Sequence, residues 1–416
     1  MSDAATDKLL VFSEEYVKVT KGMYAVWMNH AWGASRRWQV DVLLNREHWA
    51  FDEANKAFDT NTRVAVLRMP FRMPSTLLGR GFVAGHHPWL LRGGRIVLGQ
   101  ALDLVFLPAV MLYLCLWLRK IRPRAVFSHA GGWPAAPLCR WIIYAAALAR
   151  VPKRILIIHN YPMKKTGLAW KVLAWPLRLT RTWLISKCAT SIVTVSDSVK
   201  ASLESEVFKR TVLRIHNGIQ LSPPIPQSLD GRSRPDWQPS GLVVGFVGAL
   251  YPLKGPHVLL DAFRFVKAPC ELALLGPADQ AYLLSLQRRA ALCPNKVTFL
   301  GFCDDVDWFL ERIDILVVPS IAFESFGMVI LEAMRHKKAV ICTDFGGMKE
   351  VVENGVTGLV VPAGDAQALA GAITKLLAET AVRRQMGEAG YRRFLERFTA
   401  ERMVDQYDGL ILGRSQ

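Results

Sequence analysis

Residues 313–334 read IDILVVPSIAFESFGMVILEAM. The first six, Ile313–Val318, form a short run, apolar but for Asp314, that stops at Pro319-Ser320, as a buried strand does at its end. From Gly327 onward Met328, Leu331 and Met334 recur on one side of a helix. Strand, loop and helix in succession are the repeating unit of a parallel α/β sheet. Glu324 then lies in the loop and Glu332 about two turns into the helix, roughly 8 Å along its axis at 1.5 Å per residue. The amides of Ser325, Phe326, Gly327 and Met328 fall in the first turn, where they have no acceptor within the helix. Those free amides and the positive end of the helix dipole suit an anion, and Gly327 leaves room for one to approach the backbone.

The same rhythm extends in both directions. Strands are predicted at 242–247, 271–275 (ending at Gly276-Pro277), 297–300 (ending at Gly301), 339–342 and 359–361, with a helix from about Gly255. In the first half they are predicted at 9–13, 40–44, 125–128 (running into His129), 155–159 and 189–195, with helices at 24–37 and 141–148. Ser196-Asp197-Ser198 supplies an N-cap for a further helix. Between the halves, residues 221–240 hold five prolines and no periodicity, as a linker does. A chain of 416 residues is too long for one ordinary core and suits two domains. The predicted fold class is therefore α/β, with two doubly wound, Rossmann-like domains at 1–220 and 241–397. Ligands of such sheets bind beyond the C-terminal strand ends, here in a cleft between the domains.

Charge is distributed unevenly. Residues 1–220 carry 31 Lys and Arg against 13 Asp and Glu, a balance of +18, while the remainder carries 21 against 22. An anionic partner for the first half follows from this asymmetry. Lys164–Lys187 interleaves six basic residues with Trp170, Trp175 and Trp183, which suits a segment lying on an anionic lipid surface. No nucleic-acid module is recognisable, so nucleic acid is not expected as a partner. Val97–Leu118 has the length of a membrane span but contains Asp103 and Pro108, and is read as a buried or interface-lying helix. Seven isolated cysteines without a metal-like spacing indicate buried thiols in a reducing compartment. The acidic N-terminus is unlike a secretory signal.

With these residues in hand, the chain resembles the family 4 retaining glycosyltransferases, which have the GT-B fold. Glu324 and Glu332 match the family's Glu-x7-Glu, and Gly245–Gly255 (GFVGALYPLKG) its glycine-lysine loop. His216-Asn217-Gly218-Ile219, Thr194-Val195-Ser196 and Gly346-Gly347-Met348-Lys349-Glu350 follow in the expected places, as does Asn354–Val360. The resemblance implies that Glu324 binds hydroxyls of a donor sugar and that Phe326 and Gly327 hold a diphosphate by their amides, with Ser325 beside them in the donor-binding set. It implies that Glu332 binds the ribose, that Lys254 neutralises the diphosphate, and that Gly248 lies in the phosphate loop. His129 would reach across the cleft to the sugar, and Gly22 would lie in a phosphate and acceptor loop after the first strand. Residues 398–416 would form a helix that returns to the first domain.

Two positions depart from the family pattern. Ala249 stands where an arginine is usual, and Lys21-Gly22-Met23 has one glycine in place of two. The implied activity is transfer of a hexose, with retention, from a UDP- or GDP-linked sugar to a glycan acceptor. No cofactor and no metal is expected, since Lys254 and the helix N-terminus would meet the diphosphate charge. The acceptor is expected to be a lipid-linked intermediate of a bacterial surface polysaccharide, with the protein peripheral on the cytoplasmic face of the membrane. Alternatives are an inactive homologue serving as a membrane scaffold, or a soluble small-molecule transferase or phosphorylase. Asp305-Val306-Asp307 has the spacing of a metal-binding pair but opens a helix, where acids cap and complement the dipole.

Overall fold

A computed structural model describes residues 6–13, 22–45, 51–59, 63–70, 89–132, 137–161, 180, 182–208, 211–222, 234–303 and 305–414. The first domain is a seven-stranded parallel sheet made of β1 (Thr6–Ser13), β2 (Gln39–Leu44), β3 (Val64–Arg68), β4 (Pro123–Ala130), β5 (Lys153–Ile158), β6 (Ser191–Thr194) and β7 (Leu213–Arg214). Its order is β3-β2-β1-β4-β5-β6-β7. The second is a six-stranded parallel sheet of β8 (Val243–Val247), β9 (Glu271–Leu275), β10 (Lys296–Gly301), β11 (Ile315–Val318), β12 (Ala339–Thr343) and β13 (Gly358–Val361), in the order β10-β9-β8-β11-β12-β13. Each sheet grows outward in two directions from a central pair, β1 with β4 and β8 with β11, and these are the topological switch points at which such sheets open toward ligands.

Strands β9, β11 and β12 are buried along their whole length, which explains their unbroken apolar runs. In the first domain one apolar layer joins α1 (Gly22–Ala34) and α2 (Phe51–Phe58) to one face of the sheet. The opposite layer holds α3 (Trp89–Ile121) and α4 (Pro137–Leu148). The strands at 64–68 and 213–214 are additional to those expected. The first is only half-buried and the second is two residues long, so neither carries a distinct pattern.

Ser196 caps α5 (Asp197–Glu206) by accepting from the Val199 amide at 3.3 Å, in keeping with its position in the sequence. Residues 234–240 of the proline-rich segment lie against the second domain, where Trp237 stacks on Phe309 and donates to Glu271 at 2.8 Å. The polypeptide crosses between domains twice, and the two crossings pair: Ile219 N donates to Phe398 O at 3.0 Å and Ala400 N to Ile219 O at 2.9 Å. After the second crossing, α13 (Ala400–Leu412) packs Met403, Val404, Tyr407 and Ile411 into the first domain's core beside α1. Asp408, almost fully buried, accepts from Trp38 Nε1 at 2.8 Å and Arg37 Nη1 at 2.7 Å, so the returning helix is anchored by a charged contact as well as an apolar one.

Between those anchors, α9 (Met328–Arg335), α10 (Met348–Val351), α11 (Ala366–Ala378) and α12 (Thr380–Arg397) complete the second domain, together with α6 (Pro256–Phe263), α7 (Gln280–Ala290) and α8 (Val306–Arg312).

Candidate active site

The C-terminal ends of β8 and β11 meet at the switch point of the second sheet. After β8 the chain turns at Gly248, whose amide donates to Leu275 O at 2.9 Å, and enters a single 3-10 turn, Pro252–Lys254. After β11 it runs through 319–327 into α9. The two loops are tied together by Ile321 N donating to Leu253 O at 3.0 Å. As a result Lys254 Nζ forms an ion pair with Glu324 Oε2, both side chains about a quarter exposed. The cation and the carboxylate that the resemblance assigns to diphosphate and sugar are thus neighbours at the strand ends.

Glu324 is held by its backbone as well. It bridges to Gly346, and Gly347 N donates to Glu324 O at 2.8 Å. Gly346 has φ +90, and a Cβ there would overlap the Glu324 carbonyl oxygen; one on Gly347 would overlap that of Ser325. The Gly-Gly pair exists because a second backbone lies against it. Gly327, at φ +88, is the N-cap of α9, and Glu332 lies in the second turn, half-buried. Phe326 points the other way: its ring is 2% exposed and packs against His216 and Phe398 at 5.4 and 5.8 Å between centroids. Only its amide is left for a ligand at the head of α9.

Two of the expected site residues are placed differently. His129 is the penultimate residue of β4, but it is fully buried, so its ring presents no surface to a cleft. Its Nε2 contacts His30 Nδ1 and its Nδ1 contacts His159 Nε2, both at 3.0 Å. Both ring nitrogens are therefore engaged by other imidazoles. Burial pushes the His30 and His159 rings down to about 3 and about 4, His159's charge adding to the effect on His30. Burial, then His159 and His30, lowers His129 well below the usual range. All three are neutral at ordinary pH. His30 and His159 lie 99 and 30 residues from His129, and nothing in their local sequence marks them as its neighbours. Gly22, expected in a loop, is the first residue of α1; residues 14–21 before it lie outside the described residues. Of Lys164–Lys187, residues 164–179 and 181 also lie outside them.

The acids of Asp305-Val306-Asp307 have structural partners. Asp305 caps α8 by accepting from Trp308 N at 2.9 Å and pairs with Arg234 at 2.6 Å. Asp307 pairs with Arg335 and with His336 Nε2 at 2.8 Å. Burial would raise the Asp307 carboxyl, but these partners outweigh it and hold it low. The contact of Glu350 with the first domain has no signal in the sequence. Its Oε2 accepts from Asp197 N at 2.7 Å and its Oε1 from Ser198 N and Oγ at 2.8 Å.

Residues 232–393 match the sequence model of the family described as glycosyl transferases group 1. The O-antigen chain mannosyltransferase C of Escherichia coli is 33% identical over 169 residues, 40% of this chain and 45% of that protein. The capsular polysaccharide biosynthesis glycosyltransferase CapM of Staphylococcus aureus is 26% identical over 319 residues, 72% of this chain and 79% of that one. The first of these matches thus spans under half of its relative and the second about four-fifths. Among solved structures, HepE of Anabaena in complex with UDP superposes with a TM-score of 0.69 at 20% identity, covering 98% of this chain and 100% of that one. The chain has the GT-B fold, and its second domain is similar in sequence to the glycosyl transferases group 1.

Proposed function

We propose that this protein is a retaining glycosyltransferase that moves a hexose from a UDP- or GDP-linked sugar to a glycan acceptor, a lipid-linked intermediate of a bacterial surface polysaccharide. The observation that carries the reading is the Lys254–Glu324 pair at the head of α9, where β8 and β11 diverge. On this reading the diphosphate lies on the amides of Ser325, Phe326 and Gly327, with Lys254 as the counter-charge and Gly248 lining the approach. Glu324 accepts from sugar hydroxyls and Glu332 from the ribose. The pair in the structure is then the resting arrangement: the arriving donor takes Lys254 with its phosphates and leaves Glu324 for the sugar. The acceptor binds to the basic first domain. Closure excludes water and limits hydrolysis. The leaving phosphate takes the acceptor's proton, and the lysine and helix amides stabilise the charge that develops on it. His129 acts only through its buried histidine neighbours and has no direct contact with the sugar.

The relatives named for O-antigen and capsular polysaccharide support the class of acceptor, and the neighbour bound to UDP supports the class of donor. A screen of UDP- and GDP-sugars, read as nucleotide release with and without glycan acceptors, tests this reading. Release that exceeds background and falls with Glu324→Ala is expected. Absence of release with every donor, equal in wild type and Glu324→Ala, overturns it.

A further inference from the structure

Among the described residues, the outer face of α3 is apolar and exposed from Val105 onward. Val105, Phe106, Leu112, Tyr113 and Leu116 are 72, 51, 61, 41 and 55% exposed. Their spacing places them on one side of the helix, while Val110, Leu114 and Leu118 on the other side enter the core with α4. In the same layer of the domain, Leu148 is 60% exposed and Trp183 63%. Exposed Arg119 at the end of α3 donates to Leu148 O at the end of α4 at 3.3 Å, which places Leu148 next to the stripe. A run of large exposed side chains on one layer exceeds the scattered apolar residues of an ordinary surface.

Past Asp103, itself on α3, the charge along the chain has one sign for more than ninety residues. From residue 104 to residue 196 the sequence contains 14 Lys and Arg and no Asp or Glu. The stripe itself ends at Arg119-Lys120, both exposed, and Arg150 and Lys187 lie exposed close to Leu148 and Trp183 in the chain. An apolar stripe with a rim of unopposed cations matches the surface of an anionic bilayer, in which acyl chains lie beneath a layer of phosphates. A second copy of the same face would bring cations against cations, which disfavours self-association there.

Length adds a third argument. At 1.5 Å per residue the 33 residues of α3 extend about 50 Å, whereas the eight residues of β4 extend about 26 Å at 3.3 Å per residue. The helix turns directly into β4 at Arg122 and, as in other parallel α/β units, runs back along the sheet. Its N-terminal half therefore extends past the C-terminal strand ends, the edge that faces the cleft. Among the described residues no helix is long and apolar enough to cross a membrane.

We propose that the outer face of α3, with exposed Leu148 at the end of α4 next to it, docks this protein on an anionic lipid bilayer by lying in the interface. The docked face runs toward the cleft edge of the first domain, so an acceptor carried in the same bilayer would meet the cleft from its first-domain side.

Co-sedimentation of the full-length protein with phosphatidylglycerol/phosphatidylethanolamine vesicles, compared with phosphatidylcholine vesicles, tests this. Wild type is expected to bind the anionic vesicles and to be released in part by high salt. Leu112→Gln with Leu116→Gln is expected to lower partitioning about tenfold or more, since each buried leucine contributes strongly to transfer from water. Arg119→Gln with Lys120→Gln is expected to weaken binding to anionic vesicles and to flatten its salt dependence. All four positions are exposed, so circular dichroism and melting temperature should match wild type. Nucleotide release with a soluble acceptor should also be unchanged, which separates this proposal from the catalytic one. Failure of wild type to bind anionic vesicles overturns the proposal, as does binding that is indifferent to the leucine pair. So does a wild-type dimer in sedimentation velocity that the leucine pair converts to monomer, for the face would then cover a second copy.

Discussion

Glu350, from the second domain, caps the helix that begins at Asp197 in the first. Each of its carboxylate oxygens accepts a backbone amide, that of Asp197 at 2.7 Å and that of Ser198 at 2.8 Å. A carboxylate at a helix N-terminus meets both the free donors and the dipole. His216 Nε2 lies 3.6 Å from the same carboxylate, and its ring packs on Phe326 in the loop that leads into α9. Ser198 Oγ also donates to Gly346 O at 3.0 Å. The contact between domains is therefore continuous with the segment that holds Glu324.

Glu350→Ala removes a charged acceptor from two amides and a hydroxyl. It is expected to destabilise the protein by about 2 kcal/mol, since hydrogen bonds to charged groups contribute roughly this much. Hydrogen–deuterium exchange should rise at 197–200 and at 324–328 together, and Glu350→Gln should restore part of the protection. The pH dependence has a definite sign. Burial would raise the Glu350 carboxyl, but the bonds from His216, Asp197 and Ser198 outweigh it and hold it below the usual value. Its contribution is present above the ordinary carboxylate range and is lost as pH falls through the lowered value. Unchanged exchange at 197–200 in the alanine variant would show that the cap does not join the domains in solution.

Lys254→Ala should reduce donor turnover about a hundredfold, the scale seen when one charge-stabilising group is lost from an active site. Glu324→Ala should abolish sugar transfer while leaving nucleotide binding within about threefold, because its partner is the sugar and the nucleotide is held elsewhere. Isothermal titration with UDP and GDP alongside nucleotide release separates the two effects. Equal losses of nucleotide affinity in both variants would contradict the division of roles.

The loop and helix that carry Glu324 and Glu332 are legible in the sequence because they are local. Glu324, Gly327 and Glu332 lie within nine residues, and strand, loop and helix follow from the periodicity of that stretch. Gly346-Gly347 could be recognised as a motif, but its reason, the carbonyls of Glu324 and Ser325 pressed against it, is a contact across about twenty residues. His129 shows the limit more sharply. Its position at a strand end is readable, and the resemblance suggested an open cleft. Yet its burial depends on His30 and His159, brought in by α1 and by the end of β5. Likewise Ser196-Asp197-Ser198 announced a helix cap, with no sign that a glutamate from the other domain would complete it. Parallel sheets gather such residues from distant loops, so pairwise partners are the part of the site that one sequence does not reveal.

The buried imidazoles predict acid lability. An unfolded histidine takes up a proton near pH 6.5, whereas folded His159 and His30 do so only at about 4 and about 3. The unfolded chain binds more protons across that window, so stability is complete above about pH 6.5 and drains as pH falls toward 4. The loss should reach on the order of a few kcal/mol, since each tenfold drop in proton affinity on folding corresponds to about 1.4 kcal/mol. Melting curves from pH 7.5 to 4.5 should show it, and His159→Gln should make the slope shallower. Parallel slopes for variant and wild type would mean that His159 is not held neutral.

Gly346→Ala tests the backbone geometry beneath Glu324. At φ +90 an alanine is strained by about 1–2 kcal/mol. Its Cβ would also overlap the Glu324 carbonyl oxygen, which is backbone and cannot rotate aside. Relief requires the 324–325 segment to move away from 346–347, breaking the Gly347–Glu324 hydrogen bond and carrying the carboxylate with it. The variant is expected to lose about 3 kcal/mol or more of stability and, below its melting temperature, at least tenfold in turnover of nucleotide sugar. Gly364→Ala, at φ +80 with open space around its Cβ position, carries the strain without the overlap. It should lose only the first part of the stability and none of the turnover. Equal effects of the two substitutions on turnover would show that strain alone, and not the contact with Glu324, is what the glycine relieves.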